Sequence, residues 1–276
     1  MTRSFAAVRA AVRGEGTRMA DSLYRPLGDG RFQSTELTQG PWDPRHQHGS
    51  PPAALLTHEL ERTDPQPDMA VSQLAIDILG PIPVGEVTVH TEVVRPGRRV
   101  QSVAAEMVAD GRPVAYARAW RLRRADTEAI ASETATARLP MPETSVKESP
   151  LPDFGYFHAL DWRFAEGGFL LNGPAVLWAR LAVPVLPGEE PSPLQRVAGV
   201  ADTASGISSE LSFAAYTFSN VDFTLHLLRP QIGEWTCLDA ATTVGPAGSG
   251  LCRTRLYDER GDFGSVAQTL FVARRD

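Results

Sequence analysis

Hydrophobic and polar residues alternate in two stretches that share one layout. Leu74–Pro81 (LAIDILGP) and Phe223–Pro230 (FTLHLLRP) each read as a strand that closes on a proline. Each continues through Gly-Glu and an apolar residue, Gly85-Glu86-Val87 and Gly233-Glu234-Trp235. A strand, a Gly/Pro turn, a strand, an acidic turn and a final strand follow in both. The acidic turns are Asp110-Gly111 and Asp258-Glu259-Arg260-Gly261, and the final strands end on Arg123-Arg124 and Arg274-Arg275. The shared layout covers residues 72–124 and 219–275. A period this long does not fit a solenoid; it implies two copies of one small domain.

Two segments carry a helical period. Ala53–Arg62 (AALLTHELER) follows Ser50-Pro51-Pro52, which predicts Ser50 as N-cap and proline in the first turn, where its missing N–H costs nothing. Leu194, Val197, Ala198, Ala201 and Ala204 space a second helix over 194–208, weakened by Gly199 and Gly206. Residues 24–40 read as a β-hairpin around Gly28-Asp29-Gly30, and Phe154–Phe164 with strand-like Ala175–Leu181 opens the second half. Residues 125–150 lack a hydrophobic period and read as a linker. Each half then amounts to one helix followed by an antiparallel sheet of four or five strands that needs the helix as cover, an α+β architecture. The expected division is an extension over 1–19, an N-terminal unit over 20–124, the linker, and a C-terminal unit over 151–276.

Composition narrows the function classes. The chain has 276 residues, 42% hydrophobic and 22% charged, as an ordinary globular protein does. Its net charge of -6 argues against nucleic acid as the main partner, because phosphate binding needs a concentrated basic surface. No apolar run approaches the ~20 residues of a membrane span. Cys237 and Cys252 both fall in predicted strands and are expected to be buried free thiols. Residues 1–18 hold four arginines that break up any apolar stretch, so they do not read as a secretory signal. They are expected to be a floppy extension or the product of a misplaced start, and a cytoplasmic location is expected.

Three passages carry a family resemblance. His48-Gly49-Ser50-Pro51-Pro52-Ala53-Ala54-Leu55-Leu56 is similar to the His-Gly-Gly-x-x-Ala helix start of thioesterase-like hotdog proteins. Asn220-Val221-Asp222-Phe223-Thr224-Leu225-His226 resembles their Asn-Leu-Asp-Leu-Thr-x-His strand, and Ser265-Val266-Ala267-Gln268-Thr269-Leu270 their final Ser-x-Gln strand. Over residues 20–275 the chain resembles acyl-CoA thioesterases of the thioesterase II type. The resemblance implies a tandem double hotdog, with two helix-wrapping antiparallel sheets joined into one long curved sheet. It implies an acyl-CoA substrate, no cofactor and a homo-oligomer. In that family an Asp, a Thr and a Gln of the second half hold the attacking water. The Asp falls on Asp202 and the Gln on Gln268. The Thr position falls on Asn220, a departure, although an amide both donates and accepts and so can hold a water.

The residues bear on this chemistry in their own right. Thioester hydrolysis needs an oriented water, an acceptor for its proton and donors for the oxyanion. Asp202 is either an exposed helix position or a buried carboxylate that requires hydrogen-bonding partners. Strict alternation places Asn220, Asp222, Thr224 and His226 on one strand face. Aligning Gly111 with Gly261 sets Arg118 opposite Gln268, so the two halves differ at that position. His48 and Gly49 are expected to shape a helix N-terminus whose free N–H groups polarise the thioester carbonyl. His46, His48 and His58 do not match a zinc spacing, and no metal is expected. Arg95, Arg98 and Arg99, and Arg121, Arg123 and Arg124, form two clusters, read either as coenzyme A phosphate sites or as solvated surface charge. No Gly-x-Ser-x-Gly elbow and no phosphate-binding loop occur. The expected activity is hydrolysis of acyl-CoA to free acid and CoA. The alternatives are acyl-group binding without hydrolysis, acyl-CoA hydration on the same fold, and a structural partner role.

Overall fold

The computed structural model describes residues 20–133, 135–148 and 153–275. The expected extension over 1–19 lies outside the described residues. The first half comprises β1 (Tyr24–Gly28), β2 (Arg31–Ser34), helix α1 (Ser50–Arg62), β3 (Met69–Ile78), β4 (Glu86–Arg95), β5 (Val100–Ala109) and β6 (Arg112–Arg123). The second half repeats the plan. It has a single turn α2 (Gly155–His158), β7 (Leu160–Glu166), β8 (Ala175–Leu181), α3 (Pro193–Ala201), a further turn α4 (Ala204–Ile207), β9 (Tyr216–Leu227), β10 (Thr236–Val244), β11 (Ser249–Asp258) and β12 (Gly261–Arg274).

All strands join one twelve-stranded sheet in the order β1-β2-β4-β5-β6-β3-β9-β12-β11-β10-β8-β7. The order reads the same from either edge once each strand is exchanged for its repeat. Each half therefore supplies six strands rather than the four or five expected, because the hairpin ahead of each helix pairs onto the outer edge of its own sheet. The halves meet where β3 pairs antiparallel with β9, and Ala75 facing Thr224 is the centre of that pairing. This centre is the pseudo-twofold point. About it Leu74 corresponds to Phe223, Ile78 to Leu227 and Pro81 to Pro230, as the sequence repeat implied.

The helices occupy the inner face. Leu55, Leu56 and Leu60 of α1 and Val197, Ala198 and Val200 of α3 are buried in one core with Leu74, Ile76, Phe223 and Leu225 of the central strands. Burying each large aliphatic side chain contributes about 1.5–3 kcal/mol. The helices lie head to tail. Glu61 near the end of α1 accepts from Ser192 Oγ at 2.7 Å and Gln195 Nε2 at 2.8 Å at the start of α3. Ser192 caps α3 through its own side chain, whereas α1 has Gly49 as N-cap and Ser50 already inside the helix, one residue earlier than expected. The segment after β6 packs on the outer face of the second half, where Leu139 and Met141 cover Val176, Trp178, Trp235 and Tyr257. Cys237 and Cys252 are buried free thiols, as expected, and burial pushes the Cys237 thiol up to about 12.

The loop after β9 is held by one buried carboxylate. Asp258 accepts from Arg229 Nη1 at 2.5 Å, Arg229 Nη2 at 2.8 Å and the backbone N–H groups of Ile232 and Arg260, each at 2.8 Å. Burial alone would raise the Asp258 pKa, but these hydrogen bonds outweigh it and hold the carboxyl below its ordinary value. A lowered folded-state pKa gives stability that is present above the unfolded value near 4 and is lost as pH falls through the folded one. Asp258→Ala should cost about 3 kcal/mol in urea unfolding at pH 7, because it strands a partly buried guanidinium. The deficit should shrink as pH falls below 4; a deficit constant down to pH 3 would contradict this role.

Candidate active site

The helix expected over 194–208 is interrupted at Asp202 and Thr203, and the interruption builds the site. Asp202 caps α3, and its backbone carbonyl accepts from two side-chain amides, Gln268 Nε2 at 3.2 Å and Asn220 Nδ2 at 3.3 Å. Its carboxylate is buried. Asn220 Nδ2 also donates a short hydrogen bond to Asp202 Oδ1, and Ser205 Oγ donates to Asn220 Oδ1 at 2.8 Å, which fixes the amide's orientation. Gln268 is fully buried, and its Oε1 has no partner among the described residues. The three residues expected from the sequence therefore converge.

Asn220 reaches Asp202 because β9 is irregular there. Leu270 pairs with Asn220 and Thr269 with Asp222, so Val221 is left out of register as a bulge. The expected strict alternation fails at this point: Phe223 and Leu225 face the core, the bulge turns Asn220 to that side as well, and Val221 is exposed. Bulges re-aim side chains in this way beside functional sites. The register also changes which residues of the two halves correspond, so Arg118 is not the counterpart of Gln268. Arg118 pairs with Ala75 and Gln268 with Phe223, so the pseudo-twofold sets Arg118 against Ala267 and Ala119 against Gln268. Both acidic turns are two-residue turns, Asp110-Gly111 and Glu259-Arg260, so aligning the glycines slips the register by one and exchanges the faces. The difference between halves at Gln268 persists, with a buried alanine as its counterpart.

The first half contributes the start of α1. A Cβ on Gly49 would lie 2.6 Å from Asp202 Oδ2 and 2.8 Å from its Cγ, so only glycine admits this approach of carboxylate to helix. Pro51 and Pro52 have no N–H, Ala53 N–H bonds Gly49 O at 3.2 Å, and Ser50 N–H donates to His48 Nδ1 at 3.2 Å. Among the described residues the Gly49 N–H has no acceptor. His48 Nδ1 thus acts as an acceptor, which makes Nε2 the protonated nitrogen of a neutral ring. Burial lowers its pKa, with the Asp202 charge opposing. The 3.4 Å approach of Nδ1 to Asp202 Oδ2 is accordingly not an ion pair. The ring stacks on Tyr156 at 4.1 Å, and Tyr156 Oη donates to Gly199 O at 2.8 Å, which ties α2 to α3.

A cavity of about 450 Å³ opens beside these groups, lined from both halves. Its walls are aromatic, including Trp42, Phe154, Trp162, Phe169 and Phe218, with Ile78 at the end of β3 and Ile82 in the loop that follows. Trp42 lies at the mouth, 56% exposed, its ring 4.9 Å from that of Phe213. A buried carboxylate with one oxygen fixed and free donors on Gly49 and His48 therefore meet at one apolar cavity, while Gln268, bonded to the Asp202 backbone carbonyl, is buried outside its lining. Tyr156, Ser205 and the aromatic walls escape the sequence reading. The Asp202–Ser205 spacing was the one visible signal, since residues three apart on a helix share a face.

His58 lies elsewhere and bridges Glu59 and Glu189, each at 2.8 Å, whereas His46 lines the Asp202 cavity, 3.6 Å from Asp43. Neither arginine cluster lines the Asp202 cavity. Arg121 is not surface charge: it is buried and caps α1, donating to Leu60 O, Thr63 O and Asp64 O.

The profile of the acyl-CoA thioesterase C-terminal domain matches residues 133–272, and that of the N-terminal domain matches 38–122. A conserved hot dog fold protein of unknown function from Alicyclobacillus acidocaldarius superposes with a TM-score of 0.74 at 16% identity, covering 93% of this chain and 98% of that one. The acyl-CoA thioesterase II of Mycobacterium marinum gives 0.66 at 15% identity, covering 92% and 95%. These structural likenesses establish the tandem hotdog fold. No curated protein matches the chain by sequence. Among the described residues no helix is long and apolar enough to cross a membrane.

Proposed function

The chain belongs to the acyl-CoA thioesterase family, and on that premise we propose that it hydrolyses acyl-CoA thioesters by direct attack of water activated at Asp202. The observation that carries the reading is the buried Asp202 carboxylate. Asn220 occupies Oδ1, and the start of α1 closes over the same group.

In this reading a water donates one proton to Asp202 Oδ2 and the other to Gln268 Oε1, two acceptors with no competing donor among the described residues. Its lone pair is then directed at the thioester carbon. As the C–O bond forms, Asp202 takes the proton and the carbonyl oxygen becomes an oxyanion. The Gly49 N–H and the neutral His48 Nε2–H donate to it, and the positive end of α1 adds its field. The C–S bond then breaks, the thiolate leaves, and the proton held by Asp202 passes to it. The acyl chain lies in the aromatic cavity.

Thiol release from a panel of acyl-CoA esters, including an enoyl ester monitored for water addition, is the test. We expect CoA release from saturated esters, and Gln268→Ala should lower kcat by about 10²-fold with KM little changed, because the amide acts on water rather than on substrate. Saturable binding with no release from any ester over hours would favour binding without hydrolysis. The observation on that side is that Asn220, where the family has Thr, already engages the carboxylate. Water addition to the enoyl ester without thiol release would favour hydration.

A further inference from the structure

The pseudo-twofold that relates the halves also relates two cavities. The second, of about 280 Å³, lies between the start of α3, the start of β3 and the loop after β9. Its elements are those of the Asp202 cavity with the halves exchanged. Met69 and Val71 stand where the first has Phe218 and Asn220, and Leu227 and Pro230 where it has Ile78 and Pro81. Glu61 at the end of α1 takes the place of Asp202 at the end of α3.

The chemistry is inverted. The counterparts of Asn220 and Gln268 are Val71 and Ala119, so neither amide that would hold a water is present. Glu61 is spent on Ser192 Oγ and Gln195 Nε2, which closes the start of α3 from within. In exchange, the second cavity is lined by Arg121, Arg124 and Gln231, whose counterparts in the other half are Leu270, Ala273 and Ile82; of these Ile82 lines the first cavity. The hydrogen-bond donors of Arg121 are engaged by α1 carbonyls and Gln101, but its charge remains beside the cavity. Arg124 stands exposed at the rim, and its guanidinium has no acidic partner among the described residues. Gln231, 4% exposed, donates through Nε2 to Trp235 O at 3.0 Å and Thr236 Oγ1 at 3.2 Å. Its Oε1 is left buried without a partner, an acceptor that favours a ligand bringing a donor.

We propose that this second cavity is a non-hydrolytic binding site for a small hydroxylated carboxylic acid. The carboxylate would pair with Arg124, the hydroxyl would donate to Gln231 Oε1, and the alkyl part would lie on Met69, Leu194, Val197 and Leu227. Charge-assisted hydrogen bonds from a guanidinium suit a carboxylate head, and the apolar walls suit a short alkyl tail. The proposal goes beyond the hydrolytic reading and does not need it.

The test is calorimetric titration of the full chain with 3-hydroxyoctanoate, with octanoate and CoA as separate arms. We expect one saturable site per chain for the hydroxy acid, weaker binding of octanoate, and at least about tenfold weaker binding in the Arg124→Ala protein. Arg124 is exposed, so this variant should fold. Asp202→Asn should leave the affinity unchanged within about twofold while lowering turnover about 10³-fold, which separates failure of this site from failure of the other. Absence of saturable binding would overturn the proposal, as would binding lost in Asp202→Asn but kept in Arg124→Ala. Octanoate binding as tightly as the hydroxy acid, or CoA as the one ligand whose affinity depends on Arg124, would overturn it too.

Discussion

Asp202→Asn should lower kcat/KM for acyl-CoA hydrolysis by about 10³-fold with the fold intact. The effect comes from chemistry rather than packing. Asparagine has the same shape, and its carbonyl oxygen can still accept from Asn220 Nδ2. What is lost is the acceptor for the water's proton, and general-base contributions run at about 10²–10⁴-fold. The carboxylate is 6% exposed, so its removal relieves desolvation while giving up the favourable field of α1. These opposing effects should keep Tm within about 3 °C of wild type. Substrate affinity should hold, so the loss should fall on kcat. A loss mainly in KM would instead mark Asp202 as a binding group.

Gly49→Ala should be nearly as damaging, by about 10²-fold, through a different cause. Gly49 has φ -68, which alanine adopts without strain, so the backbone tolerates the change. The new methyl would stand 2.6 Å from Asp202 Oδ2. That oxygen is the end of a side chain and can yield, so the protein should fold and the carboxylate should swing away from the start of α1. The shift would misplace the base and crowd the free Gly49 N–H, and loss of one oxyanion donor alone costs about 10²–10³-fold. Circular dichroism and thermal unfolding should stay near wild type while turnover collapses. Full activity in a folded Gly49→Ala protein would remove the start of α1 from the mechanism.

Most of the architecture was legible because strand alternation and the repeat are local signals. The correspondence of Leu74–Pro81 with Phe223–Pro230 survives in the β3–β9 register, and Asn220 and Gln268 both lie in hydrogen-bond contact with Asp202. What was not legible depends on register. A two-residue turn and a bulge at Val221 each shift the sheet by one position, and a one-residue slip exchanges the faces. Hence Arg118 was set against Gln268 in place of Ala119, and Asn220 was placed on the face of Asp222. The break in the helix at Asp202 was hidden for a similar reason. Its carbonyl is satisfied by amides distant in sequence, and no local pattern announces that. The basic clusters read as candidate phosphate sites because charge is visible in a sequence, whereas the capping geometry that buries Arg121 is not.

The central claim, direct attack by a water held at Asp202, is tested most directly by single-turnover hydrolysis of an acyl-CoA in ¹⁸O-water with enzyme in excess. The first acid released should carry one ¹⁸O, with the Asp202 peptide unlabelled and no acyl group retained on the quenched protein. Unlabelled acid with ¹⁸O in Asp202, or a bound ester left intact for hours, would contradict it.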